Sequence, residues 1–62
     1  MQSERLERVL ASLKSEFFEV GEMWKAGRNS DILDELHALV GAINEIEIFL
    51  FGKRITTLLD II

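Results

Sequence analysis

Acidic side chains are the residues of this sequence best suited to chemistry. They fall into two groups, Glu16, Glu19 and Glu22 in the first half and Asp31, Asp34 and Glu35 in the second. Carboxylates on two facing helices could hold a hard cation such as magnesium, which prefers oxygen ligands. Acidic faces also keep small proteins in solution, and we interpret the two groups as a solvated surface.

The spacing of these carboxylates resembles that of the MazG-type nucleotide pyrophosphohydrolases. Members of that family carry an E-x-x-E pair on one helix and an E-x-x-D pair on the next. Glu16 and Glu19 match the first pair, and Glu35 matches the first half of the second. Ala38 stands where the aspartate should be, so the metal site that the resemblance implies lacks a ligand. Over residues 16–42, the resemblance implies a degenerate metal-dependent nucleotide hydrolase as an alternative function.

Other catalytic residue types are scarce. The chain has one histidine, no cysteine and no tyrosine, and its sequence contains no nucleophile–base pair and no glycine-rich phosphate loop. His37 follows Asp34 at a spacing that occurs in di-metal bundles, but it lies off the predicted core stripe, so we interpret it as a surface histidine. The sequence therefore predicts a non-enzymatic protein with no catalytic residue, no metal ligand and no cofactor.

Two long helices would position these side chains. Apolar residues recur at alternating spacings of four and three, first at Leu6, Leu10, Leu13, Phe17, Val20 and Trp24, then at Ile32, Leu36, Leu39, Ile43, Ile46 and Leu50. Such stripes pack against each other along neighbouring helices. Gly27 can end the first helix in a left-handed conformation, and Asn29 or Ser30 can cap the second.

We predict an all-α fold, an antiparallel two-helix hairpin in a single domain, because the turn is short. The predicted elements are a helix over 3–26, a turn over 27–30, a helix over 30–51 or longer, and an apolar tail over 52–62.

The apolar face of the second helix changes sides near its end. If the helix continues, a separate stripe forms from Ile48, Phe51, Ile55, Leu58, Leu59 and Ile62. This stripe points away from the first one, and its last residues overhang the hairpin. Gly52 could instead break the helix and let the tail fold back. A short strand is a further alternative, because residues 55–57 are β-branched.

The amount of apolar surface predicts a further interface. The chain is 48% hydrophobic, more than a solitary hairpin with one buried stripe per helix requires. A chain of 62 residues has a marginal core, and without cysteine it has no disulfide, so oligomerisation is the remaining reinforcement. We predict a homodimeric four-helix bundle, or a bundle completed by an amphipathic helix of a protein partner. The expected interface residues are Val9, Phe18, Met23, Leu33, Val40, Ile48, Phe49, Phe51, Ile55, Leu58, Leu59 and Ile62.

Charge narrows the range of partners. The net charge of −4 argues against a nucleic-acid binder and against an anionic membrane surface. In size and in its mid-chain turn the sequence resembles the Rop family of plasmid RNA-binding hairpins, which are dimeric four-helix bundles. This resemblance covers architecture alone and implies an RNA-binding regulator as a second alternative. The charged N-terminal residues do not resemble a secretory signal, and with the lack of cysteine they predict a cytoplasmic location.

These observations favour a small acidic protein–protein interaction module, such as a regulator, adaptor, inhibitor or dedicated chaperone. In this hypothesis the stripe that ends at Ile62 receives an amphipathic segment of the target.

Overall fold

The chain folds as a helical hairpin whose last residues turn back along it. The computed structural model describes residues 2–61, and side chains from residue 3 onward. Helix α1 (Gln2–Gly27) packs against helix α2 (Ser30–Phe51), and a 3₁₀ turn follows at Leu58–Asp60. The predicted all-α pair of packed helices is confirmed. Within residues 2–61 no strand forms, and the segment considered for one, 55–57, is irregular.

The turn between the helices differs from the prediction at one residue. Gly27 is the last residue of α1, and Arg28 takes the left-handed conformation instead, with φ of 54°. The Arg28 N–H donates to the Trp24 carbonyl at 2.6 Å, and the Arg28 guanidinium lies 4.7 Å from the centroid of the Trp24 ring. Asn29 then caps α2, because its side-chain oxygen accepts the N–H of Asp31 at 2.8 Å.

The buried core follows the predicted stripe on α1 and departs from it on α2. The buried apolar residues of α1 are Leu10, Phe17, Val20 and Trp24. On α2, Leu36 and Ile43 are buried, Ile46 and Leu50 are half-buried, and the next fully buried residue is Glu47. Because apolar residues occupy several stripes of α2, the pattern alone does not fix its rotation to within one position.

Helix α2 ends at Phe51, and the chain reverses at Gly52. Gly52 has φ of 80°, a left-handed conformation that glycine adopts at little cost, and its N–H donates to the Ile48 carbonyl at 2.9 Å. Residues 53–61, the C-terminal segment, then run back along the hairpin until Ile61 is buried. The helix stops at Phe51, so the helical stripe predicted from Ile48 onward does not continue, and that prediction is wrong. The predicted overhang beyond the hairpin is wrong for the same reason. The alternative of a folded-back tail is the one observed; Ile62 lies outside the described residues.

Within the described residues, neither helix is both long and apolar enough to cross a membrane.

Candidate functional site

A buried carboxylate fastens the C-terminal segment to α2. The Glu47 side chain is 0% exposed, although it carries a charge. Its Oε1 accepts hydrogen bonds from the N–H of Ile55 at 3.0 Å and from the N–H of Thr56 at 3.1 Å. Its Oε2 accepts the hydroxyl of Thr56 at 2.7 Å. Two consecutive backbone N–H groups and a hydroxyl thus replace the water that the carboxylate loses on burial.

Two further side chains complete this cluster, which we call the Glu47 clasp. The amide nitrogen of Asn44 donates to Glu47 Oε1 at 2.9 Å and to the Thr56 carbonyl at 2.8 Å. The ammonium of Lys14, from α1, lies 3.6 Å from Glu47 Oε2. The clasp therefore joins both helices to the C-terminal segment. Among the described residues, every buried side-chain nitrogen and oxygen atom has a hydrogen-bond partner.

The clasp lowers the pKa of Glu47. Burial by itself raises the pKa, because it penalises the charged form. The hydrogen bonds from the Thr56 hydroxyl, the backbone of Ile55 and Thr56, and Asn44 act in the opposite direction and outweigh it. The result is a pKa lowered from 4.5 to about 2, so the carboxylate is charged at neutral pH.

A second anchor holds the far end of the C-terminal segment. Ile61 is 4% exposed and lies against Gly21, which is buried in the middle of α1. A Cβ built at Gly21 would lie 2.5 Å from Ile61 Cδ1 and 2.9 Å from Ile61 Cγ1 and Cγ2. The missing side chain of Gly21 is therefore the space into which Ile61 packs.

The two anchors show which side of the hairpin the segment covers. Gly21 and Lys14 mark that side on α1, and Asn44 and Glu47 mark it on α2. At about 100° per residue, the opposite side of the two helices carries a second set of apolar side chains. We call this set the uncovered face; it consists of Val9, Leu13, Leu39, Ala42, Ile46 and Phe49.

The uncovered face is apolar and partly open to solvent. Phe49 is 72% exposed and Val9 is 43% exposed, and the other four members are half-buried. Beside it, an open depression of about 520 Å³ follows the flank of α1. Its lining residues are Arg5, Arg8, Val9, Ser12, Leu13 and Glu16. Such a surface, apolar in the middle and charged at the edge, is typical of protein interfaces.

The structure places the predicted interface residues in three environments. On the uncovered face or beside it towards the turn, the exposed ones are Val9, Met23 and Phe49. Towards the side of the C-terminal segment, the exposed ones are Phe18, Ile48, Phe51, Ile55 and Leu59. Half-buried against the core are Leu33, Val40 and Leu58. Ile62 lies outside the described residues.

The acidic residues do not converge. Glu16, Glu19 and Glu35, which carry the resemblance to the pyrophosphohydrolases, are all exposed, as is His37. Within residues 2–61, no three histidine, aspartate or glutamate side chains are grouped so that they could hold a metal ion.

Sequence reasoning missed Glu47 and Gly21. Glu47 follows the buried Ile43 by four residues, so it stands at a core-facing position where a charge is unexpected. A glutamate at such a position signals a buried polar partner elsewhere in the chain, and the hydroxyl of Thr56 is that partner. Gly21 interrupts α1 between Val20 and Glu22, and a glycine inside a strongly helical stretch signals close packing.

No protein-family profile, curated protein or solved structure matches this chain. What the chain does is therefore inferred from its own surface.

Proposed function

We propose that this chain is a small, non-enzymatic protein–protein interaction module, and that it works as a homodimer with a four-helix core. Eight large apolar side chains are exposed on the described part of a chain of 62 residues. The observation that carries the proposal is the path of the C-terminal segment, which packs over only one of the two sides of the hairpin. Among residues 3–61, the C-terminal segment covers one side of the hairpin, and no segment packs over the uncovered face.

The size of the molecule supports self-association. It measures 40 × 18 × 15 Å, so one broad side offers roughly 700 Å². A stable interface takes about 600–1,000 Å² from each partner, so a dimer of this chain needs essentially a whole side. The uncovered face, which runs from Val9 to Leu39 across both helices, forms the apolar centre of that side.

A second surface is left for a different protein. Phe51, Ile55 and Leu59 lie towards the segment side and stay exposed when two uncovered faces meet. We assign to this surface a partner that offers the apolar stripe of an amphipathic helix, in a regulatory, inhibitory, adaptor or chaperone-like role. The cytoplasmic location expected from the sequence remains part of the proposal.

Native mass tests the proposal. Light scattering on a sizing column, from low micromolar to near-millimolar chain, should give a discrete species of twice 7.1 kDa. Phe49→Glu should convert this species to a monomer that keeps its helical circular dichroism. Leu59→Glu, a matched change at a residue 79% exposed on the other side, should leave the dimer intact.

A wild-type chain that stays monomeric over the whole range would overturn the proposal, as would a dimer that Phe49→Glu does not weaken. Leu59→Glu then separates the dimer surface from the second surface. It should keep the dimer mass while abolishing the retention of any protein that the wild-type chain captures.

A further inference from the structure

The charges along the open flank of α1 are arranged symmetrically about one residue. Arg8 and Glu16 lie four residues before and after Ser12, and Arg5 and Glu19 lie seven residues before and after it. The sign is inverted in each pair. At about 100° per residue all five fall on one flank of α1, next to the uncovered face. Arg5, Arg8, Ser12 and Glu16 also line the same depression.

Inverted charges of this kind are self-complementary under a two-fold axis. If a second α1 runs antiparallel to the first and crosses it at Ser12, each Arg8 meets the Glu16 of the other copy. Each Arg5 meets the Glu19 of the other copy in the same way. Like charges would face each other in a parallel arrangement, so the pattern selects one orientation.

The apolar residues of the uncovered face are centred at the same level. Since α1 ends at Gly27 and α2 begins at Ser30, Ser12 lies level with about Glu45. Val9 and Leu13 flank that level on α1, as Ala42 and Phe49 do on α2. A two-fold axis through this level therefore places one uncovered face on the other.

The same axis brings a large side chain over small ones. In this arrangement α2 runs antiparallel to α2 of the second copy and crosses it at Glu45. Phe49 then lies level with residue 41 of that copy, and its ring falls between the side chains of Ala38 and Ala42. Phe49 is 72% exposed in the single chain, and two alanines leave room for its ring. Glu45 itself lies on the outer edge, where it remains in solvent.

We infer that a second copy of this chain binds the uncovered face in one defined register, α1 antiparallel to α1 with Ser12 at the two-fold axis, and that Arg8–Glu16 and Arg5–Glu19 pairs between copies select that register. The inference rests on the proposed function, because it specifies how the proposed dimer is built. It assigns a specificity role to charged residues outside the apolar interface set.

Charge exchange tests the register. Arg8→Glu and Glu16→Arg should each weaken the dimer about tenfold, because every pair occurs twice and each change sets like charges against each other. The double variant Arg8→Glu/Glu16→Arg should restore the dissociation constant to within about threefold. Asp34→Arg, which reverses an exposed charge on the back of α2, is the control and should leave the dissociation constant unchanged. Sedimentation equilibrium at low salt gives these constants.

Mixing supplies a second readout. Arg8→Glu and Glu16→Arg chains, one carrying a fluorescent donor and the other an acceptor, should pair with each other in preference to themselves. If neither single variant weakens the dimer, or the double variant fails to recover, the register is wrong. The proposed function survives that result as long as Phe49→Glu still dissociates the dimer, so the two failures can be told apart.

Discussion

Ile61 packs into the space that a side chain at Gly21 would fill, with its Cδ1 only 2.5 Å from where that Cβ would stand. The two residues are far apart in the chain, and Gly21 belongs to the first helix. Their contact holds the end of the C-terminal segment against one side of the hairpin. It complements the Glu47 clasp, which holds the other end of the same segment.

Gly21→Ala should lower the free energy of unfolding by about 1–3 kcal/mol, because the added methyl group overpacks the site and displaces Ile61. Alanine is the better helix former, so a loss of stability would report the clash and not the helix. Urea denaturation of the purified variant measures the change.

Gly41→Ala provides the matched control. A Cβ at Gly41 has nothing within 4 Å, so this variant should gain about 0.5–1 kcal/mol from helix propensity. In a Gly21→Ala background, Ile61→Ala should cost less than it does in the wild type, because it removes the clashing atoms. Additive effects of the two changes would show that Ile61 does not pack on Gly21.

Glu47→Gln should destabilise the chain by about 2–4 kcal/mol, although the two side chains have nearly the same shape. The amide keeps one acceptor oxygen. With its NH₂ group at the Oε2 position, that group would face the Thr56 N–H and the Lys14 ammonium, which can only donate, and the Thr56 hydroxyl would have to reverse and accept. The exposed neighbour Glu45 gives the control, since Glu45→Gln should change the free energy of unfolding by less than about 0.5 kcal/mol.

Hydrogen exchange distinguishes a local from a global effect of Glu47→Gln. The amides of Ile55 and Thr56 donate to the carboxylate, so they should lose protection before the amides of α1 do. Equal protection of both amides in wild type and variant would contradict the clasp.

The clasp should also make the free energy of unfolding depend on pH in the acidic range. The pKa of Glu47 is lowered from 4.5 to about 2 in the folded chain, so the unfolded chain binds the proton more tightly. The stabilisation is therefore complete above about pH 4.5 and is lost as pH falls towards 2, by an amount on the order of 3 kcal/mol.

A pH titration of the Glu47→Gln variant isolates this contribution from the other carboxylates. The wild type should exceed the variant in free energy of unfolding at pH 6, and the gap should close between pH 4.5 and pH 2. A gap that stays constant over this interval would mean that Glu47 titrates with an ordinary pKa in the folded state.

The helices and their turn were predictable because their signals are local. A four-and-three apolar spacing and the sequence Gly27–Arg28–Asn29 fix two helices and a reversal within a few residues. The detail that failed was which residue turns left-handed. Propensity favours Gly27 there, but α1 continues through Gly27 and Arg28 takes the position, with its guanidinium 4.7 Å from the centroid of the Trp24 ring.

The path of the C-terminal segment was not predictable, since it depends on contacts between distant parts of the chain. The apolar residues from Ile48 onward fit a helical stripe as well as they fit a folded-back segment. The choice is made by Gly52, by the carboxylate of Glu47 and by the space at Gly21. For the same reason the sequence could list apolar interface candidates but could not sort them onto a covered and an uncovered side.

Arg28 offers a test of how the turn is stabilised. A non-glycine residue at φ of 54° costs about 1–2 kcal/mol, and the guanidinium over the Trp24 ring returns about 0.5–1 kcal/mol. Arg28→Ala keeps the unfavourable conformation and loses the ring contact, so it should be less stable than wild type by that smaller amount. Arg28→Gly loses the contact and also removes the strain, so it should be at least as stable as wild type. Thermal and urea unfolding of the three chains give the order. An alanine variant as stable as the glycine variant would show that the turn is not strained at this residue, and an alanine variant as stable as the wild type would show that the ring contact contributes nothing.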